Sequence, residues 1–146
     1  MKPVVLANVA SSVFMAGMIW TIQVVHYPLF EQVGEGTFVA YMAEHQRRIS
    51  LVILLPWAVE GLSSLALVAD PPDGVGRVLP LAGLAAAGVA VLATVGLAVP
   101  EHGRLSDGID LEAIRRLVST NWVRTAAWSA HAGIALWIAA RAARRG

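Results

Sequence analysis

The stretch Thr120-Asn121-Trp122-Val123-Arg124-Thr125-Ala126-Ala127-Trp128 sets an amide, a guanidinium, hydroxyls and indoles into an otherwise apolar run. On a helix, at about 100° per residue, Asn121, Arg124, Thr125 and Trp128 follow i, i+3, i+4, i+7 and share one face, with His131 a turn further on. An arginine in a lipid-compatible helix is costly unless it meets a partner or a hydrated cavity. The stripe therefore predicts a polar interior. Glu60 is the acid set deep in a second apolar run, roughly 16 Å from its start, with Arg124 roughly 10 Å into its own. The economical expectation is an intramembrane ion pair between them. Such a pair either only ties two helices together, or lines a pocket where it tunes an acid, a base or an anionic substrate group.

Other groups fall into similar stripes. Gln23 and His26 share a helix face with Ser12, and Pro56, Glu60 and Ser63 share another. Ordinary hydrogen bonding between helices would account for such stripes, as would a ligand cavity. Three of the four histidines, His26, His45 and His102, fall at one end of the apolar runs. Converging imidazoles would suit copper, iron or zinc, so these three are the metal-ligand candidates. No His-x-x-x-His or Glu-x-x-His spacing supports a bundle metal site. Haem is disfavoured because His131 has no second histidine at its depth. The bland alternative for each histidine is a satisfied polar residue. Tyr27 and Trp128 read as pocket walls, and Trp137 as an interfacial aromatic.

The elements that must position these groups are membrane helices. Of 146 residues, 57% are hydrophobic and 14% charged, against about 25% charged in a soluble domain. Four apolar runs, about 4–30, 49–69, 78–99 and 117–140, each reach the roughly 20 residues that cross a bilayer. The expectation is an all-α, integral membrane four-helix bundle with up-down-up-down topology, a single domain over 1–146. The first run reads as a retained helix, since it lacks the short apolar core and well-placed small-residue site of a cleaved signal. Lys2 and the tail Arg141, Arg144 and Arg145 put both termini on the cytoplasmic side of the plasma (inner) membrane, and the histidine end on the extracytoplasmic side.

Local signals refine the frame. Pro28 is expected to end the first helix. A short interfacial helix through Phe38, Tyr41 and Met42 would precede a second span starting near Arg47 and kinked at Pro56. Asp70-Pro71-Pro72-Asp73-Gly74 reads as a turn. Ala82, Ala86, Ala90 and Thr94 form a small-residue row for close packing, and Pro100 closes the third helix. Asp110 is placed to cap the fourth.

Several classes are excluded or unsupported. The absence of cysteine removes disulfides, thiolate ligands, iron–sulfur clusters and cysteine nucleophiles. No phosphate loop, dinucleotide fingerprint or nucleophile elbow is present, and nothing supports nucleic-acid binding.

Leu117-Val118-x-x-Asn121-Trp122-x-Arg124-Thr125, followed by an alanine-rich run, resembles the final helix of the anthrone-oxygenase-like proteins. These are small four-span membrane proteins in which an Asn-x-x-Arg-Thr element is typical. His26-Tyr27-Pro28 is similar to their early aromatic-proline element. The resemblance implies oxidation of an activated aromatic CH₂ to a ketone by O₂, and it carries over Asn121, Arg124 and His26. The site expected from residues and resemblance together has His26, Glu60, Asn121 and Arg124 as catalytic groups. Gln23, Tyr27, Thr125 and Trp128 would touch substrate. Histidine or Glu60 would remove a proton while Arg124 and Asn121 stabilise the oxyanion. The partners expected are the lipid bilayer and a lipophilic small molecule, with a homo-oligomer or larger membrane complex also open. Two other functions remain in view: an accessory or structural subunit of such a complex, and a small transporter or quinone-binding module.

Overall fold

The computed structural model describes residues 2–144; Arg145 of the basic tail lies outside the described residues. Four helical rods form a bundle: α1 (Pro3–Gln32), α2 (Glu35–Ala69), α3 (Val78–Leu105) and α4 (Leu111–Ala143). α1 packs on α2 and α4, and α3 packs on the same two, so the rods stand at the corners of a square. Side-chain bonds fix the antiparallel register of neighbours. Lys2, opening α1, pairs with Asp70 beyond the end of α2 at 2.6 Å. Asn8 on α1 donates to Ser63 and Ser64 late in α2, each at 3.0 Å. Gln46 early in α2 donates to Ser106, just past α3, at 3.0 Å.

The partition of side chains is inverted relative to a soluble bundle. Leu51, Leu54, Leu55, Leu62 and Leu65 of α2 are exposed, as are Leu81, Leu92 and Val95 of α3 and Val13, Phe14 and Val24 of α1. The interior holds Asn8, Ser12, Gln23, Glu60, Ser63, Ser64, Asn121, Arg124, Thr125 and His131. So extended an apolar exterior exceeds what water tolerates on a monomer and matches lipid. Among the described residues three helices, α1, α2 and α3, are long and apolar enough to cross a membrane; the fourth expected span, 117–140 on α4, is not one of them, its polar stripe lowering its hydropathy. α4 supplies the polar face that the other three enclose. Its N-terminus is capped as expected, the Asp110 carboxylate accepting from the Ala113 N–H at 3.0 Å.

One of the two prolines acts differently from the expectation. At Pro28 the regular part of α1 ends and only a 3₁₀ segment, Pro28–Gln32, follows, whereas Pro100 does not end α3, which runs on as α-helix to Leu105. Each proline follows a widened turn with i→i+5 hydrogen bonding, Ile22–His26 in α1 and Thr94–Ala98 in α3. A proline lacks the N–H for the regular ladder and its ring collides with the carbonyl four residues back. The π-turn relieves that collision and lets the rod continue; the Tyr27 N–H thus bonds the Ile22 carbonyl at 3.0 Å. Such single wide turns recur at functional sites because they re-aim the next side chains. Here those are Tyr27 and, a turn further on, His102. α2 is also longer than expected. It begins at Glu35 and runs unbroken through Pro56, so no separate interfacial helix forms. Phe38, Met42 and His45 point inward along its first turns and pack over the histidine end. The tight row on α3 is Gly83, Ala87 and Ala90, with Ala82 exposed, so the expected row is displaced by one residue from its start.

Candidate functional site: an arginine-headed cavity

The helix-four stripe is interior as expected: Asn121, Arg124, Thr125 and Trp128 are all buried. Asn121 anchors it to α1. Its Nδ2 donates to Gln23 Oε1 at 2.9 Å, its Oδ1 accepts from Arg124 Nη1 at 3.0 Å, and Gln23 Nε2 donates to the Val118 carbonyl at 3.1 Å. Thr125 closes back on the Asn121 carbonyl at 3.0 Å. Gln23, Asn121 and Thr125 thus form a seam behind Arg124 and hold it. They stand outside the cavity described next.

Arg124 reaches forward from this seam. Its Nη1 donates to the Tyr27 hydroxyl at 3.2 Å, and the guanidinium carbon lies 5.4 Å from the Trp128 ring centroid. Among the described residues no carboxylate lies within ion-pair distance of it. Its Nε has no hydrogen-bond partner. The expected ion pair with Glu60 is therefore not formed. Glu60 accepts instead from Trp128 Nε1 at 3.0 Å, and its second oxygen faces His131 Nε2 at 3.6 Å. The Trp128 indole lies between the two groups, donating to Glu60 and facing the Arg124 guanidinium.

A cavity of about 370 Å³ opens beside Arg124. Met18, Ile22, Ile49, Ile53, Trp57, Ala98 and Val99 supply its apolar wall, and Tyr27, His45, His102 and Arg124 its polar pole. That is the size and make-up of a small-molecule site. Glu60 and His26 are not in its lining. His26 is half-buried at the α1–α2 seam, where it borders two side grooves.

The three histidines gathered by the sequence do meet. His26 Nε2 lies 2.9 Å from His45 Nδ1, the His45 and His102 ring centroids are 5.4 Å apart, and His102 Nε2 lies 3.1 Å from the Tyr27 hydroxyl. Phe30 stacks edge-on against His26 and His45. His26 Nε2 and His45 Nδ1 bond each other and His102 Nε2 bonds Tyr27, instead of converging on a common point. Among the described residues no set of three His, Cys, Asp or Glu side chains is arranged to hold a metal ion. The donor set, as arranged, does not fit the copper, iron or zinc site considered from sequence.

Tyr27 Oη accepts from Arg124 Nη1, and its contact with His102 Nε2 runs in either direction according to the His102 tautomer; with the Tyr27 hydroxyl as donor, a neutral His102 carries its proton on Nδ1, an atom without a partner among the described residues. His45 and His26 share one hydrogen across 2.9 Å. When His45 Nδ1 is the donor, its Nε2 holds a lone pair, the state a general base requires. His45 and His102 are thus cavity-lining groups that sequence reasoning named as metal-ligand candidates and not among the catalytic residues. His131 was missed as the neighbour of Glu60. Their common signal is position: each lies at the depth of a polar group on a facing helix.

No protein-family model, curated protein or solved structure matches the chain.

Proposed function

We propose that the protein is an integral membrane oxidoreductase of the oxygenase type, acting on a flat, lipophilic substrate whose CH₂ is acidified by conjugation, through an aromatic ring, with a carbonyl. The observation that carries this reading is Arg124: a buried cation without a carboxylate partner, at the polar pole of an apolar cavity. Such a group stabilises negative charge on a ligand oxygen far more strongly than it would in water. Removing a proton from a CH₂ conjugated with a carbonyl puts that charge on the carbonyl oxygen. Arg124 and the Tyr27 hydroxyl would receive the oxygen, and His45 would take the proton, with His26 accepting its Nδ1 hydrogen.

The carbanion so formed is an electron donor to O₂. The overall change R₂CH₂ + O₂ → R₂C=O + H₂O balances with no further reductant. The redox assignment draws on the resemblance of Asn121-x-x-Arg124-Thr125 to the anthrone-oxygenase-like proteins, and the cavity geometry supports the proton transfer and oxyanion steps. Lys2 and Arg141 argue for cytoplasmic termini in a plasma (inner) membrane, which would put the cavity near the extracytoplasmic side.

The test is incubation of the purified protein in detergent with anthrone under air. Formation of the ketone with one O₂ consumed per substrate supports the proposal, together with its loss in His45→Ala and Arg124→Gln proteins that remain folded. A wild-type protein that binds anthrone but leaves O₂ uptake at the buffer rate overturns the oxidoreductase assignment.

A further inference from the structure

A second buried cluster lies beyond Trp128, outside the cavity, and it belongs to no step proposed above. His131 Nδ1 is 2.7 Å from the Gly83 carbonyl oxygen. A carbonyl only accepts, so Nδ1 carries a hydrogen and Nε2 is the variable position. Nε2 faces Glu60 Oε1 at 3.6 Å, and neither atom has a hydrogen-bond partner among the described residues. Both side chains are almost fully enclosed, 2% and 1% exposed. Glu60 Oε2 is held from the other side by the Trp128 indole N–H. Two facing lone pairs in a buried site repel each other. One hydrogen between them satisfies both atoms and leaves the pair neutral, whether it resides as carboxylic acid and imidazole or as carboxylate and imidazolium. A bare carboxylate there would lack any compensating charge.

The surroundings from all four helices agree. α1 contributes the neutral Asn8, Ser11 and Ser12 to this half of the interior. α2 adds Ser63 and Ser64, and α3 adds the Gly83 carbonyl. The buried cation, Arg124 on α4, is set off by the Trp128 ring. The glycine is part of the device: a Cβ at position 83 would lie 3.3 Å from His131 Nδ1, so only glycine lets the ring approach this carbonyl without displacement.

We infer that Glu60 and His131 form an intramembrane proton-binding site, a dyad that holds one proton between Glu60 Oε1 and His131 Nε2 while Gly83 and Trp128 fix the two partners. This stands independently of the chemistry proposed for the cavity. The dyad lies behind the Trp128 ring over which Arg124 sits, so its proton content sets whether a carboxylate charge lies on the far side of that ring.

The proton is counted in the wild-type protein at neutral pH, in detergent micelles. Infrared spectroscopy reads the Glu60 carboxyl, assigned by its loss in Glu60→Gln, and ¹⁵N NMR reads the His131 ring, assigned by its loss in His131→Gln. The expected result is one proton in total: a carboxylic acid with a neutral ring, or a carboxylate with a doubly protonated ring. A carboxylate beside a neutral ring, or a carboxylic acid beside an imidazolium, overturns the inference. Glu60→Gln is also expected to move the His131 Nε2 signal, and an unmoved signal counts against the dyad. Where a variant does not fold, ¹³C labelling of glutamate and pairwise ¹³C–¹⁵N transfer in the wild type supply the same assignments.

Discussion

Trp128 donates its indole N–H to Glu60 across the diagonal of the bundle at 3.0 Å, while the Arg124 guanidinium lies 5.4 Å from the centroid of the same ring. One indole therefore keeps a buried acid and a buried base apart. Trp128→Phe keeps most of the volume and removes the donor, orphaning a buried carboxyl oxygen. The expected cost is about 1–3 kcal/mol, read as a lowered midpoint of thermal unfolding in detergent.

Tyr27 makes the other diagonal contact, from α1 to His102 on α3. Tyr27→Phe removes one of the two acceptors of Arg124, leaving Asn121 Oδ1, and removes the partner of His102 Nε2. Hydrogen bonds to a charged group contribute about 1.5–3 kcal/mol. Turnover is expected to fall by roughly tenfold or more, with the fold retained by circular dichroism. Unchanged kinetics would show that the Arg124–Tyr27 bond has no part in the site.

Gly83→Ala and Gly88→Ala separate close packing from helix propensity. A Cβ at Gly83 meets His131 Nδ1 at 3.3 Å and Ile134 Cγ2 at 3.4 Å, whereas one at Gly88 meets nothing within 4 Å. Overpacking costs about 1–3 kcal/mol, so Gly83→Ala is expected to lower the unfolding midpoint. Gly88→Ala is expected to leave it unchanged or raise it slightly, by the helix preference for alanine.

The helical frame was legible because composition and run length alone demand lipid-facing helices. The Asn121–Trp128 stripe was legible because a face follows directly from helical period. The helix ends were not. Proline rules foretell breaks at Pro28 and Pro100: the regular helix does stop at Pro28, but α3 runs through Pro100, and the π-turns before the two prolines precede Tyr27 and His102. The partner of Arg124 was misread for a related reason. Opposite charges in two spans invite pairing, yet which side chains meet depends on register and on the bulk between them. Trp128 occupies that space, and the neighbour of Glu60 became His131. The convergence of His26, His45 and His102 followed from topology, while their bonding to each other and to Tyr27 needed coordinates.

Asp110 gives a pH signature outside the membrane. The Ala113 N–H, followed by Arg104, holds its carboxyl below the ordinary value of 3.8. A depressed folded-state value means that the stabilisation is present above the unfolded-state value and is lost as pH falls through the folded one. Wild type is therefore expected to lose stability below about pH 4 more steeply than Asp110→Asn. Parallel acid-unfolding curves for the two proteins would remove Asp110 as a cap of consequence.

The most direct test of the Arg124 site is equilibrium binding of 2-naphthoate and of its uncharged methyl ester to wild type and to Arg124→Gln. The two probes share a flat apolar body and differ in the oxyanion. Wild type is expected to prefer the anion by at least about tenfold, the scale of a charge-assisted hydrogen bond, and Arg124→Gln to lose that preference while still binding the ester. Equal affinity for both probes in wild type, or an anion preference that survives the substitution, would contradict a buried arginine poised for a ligand oxyanion.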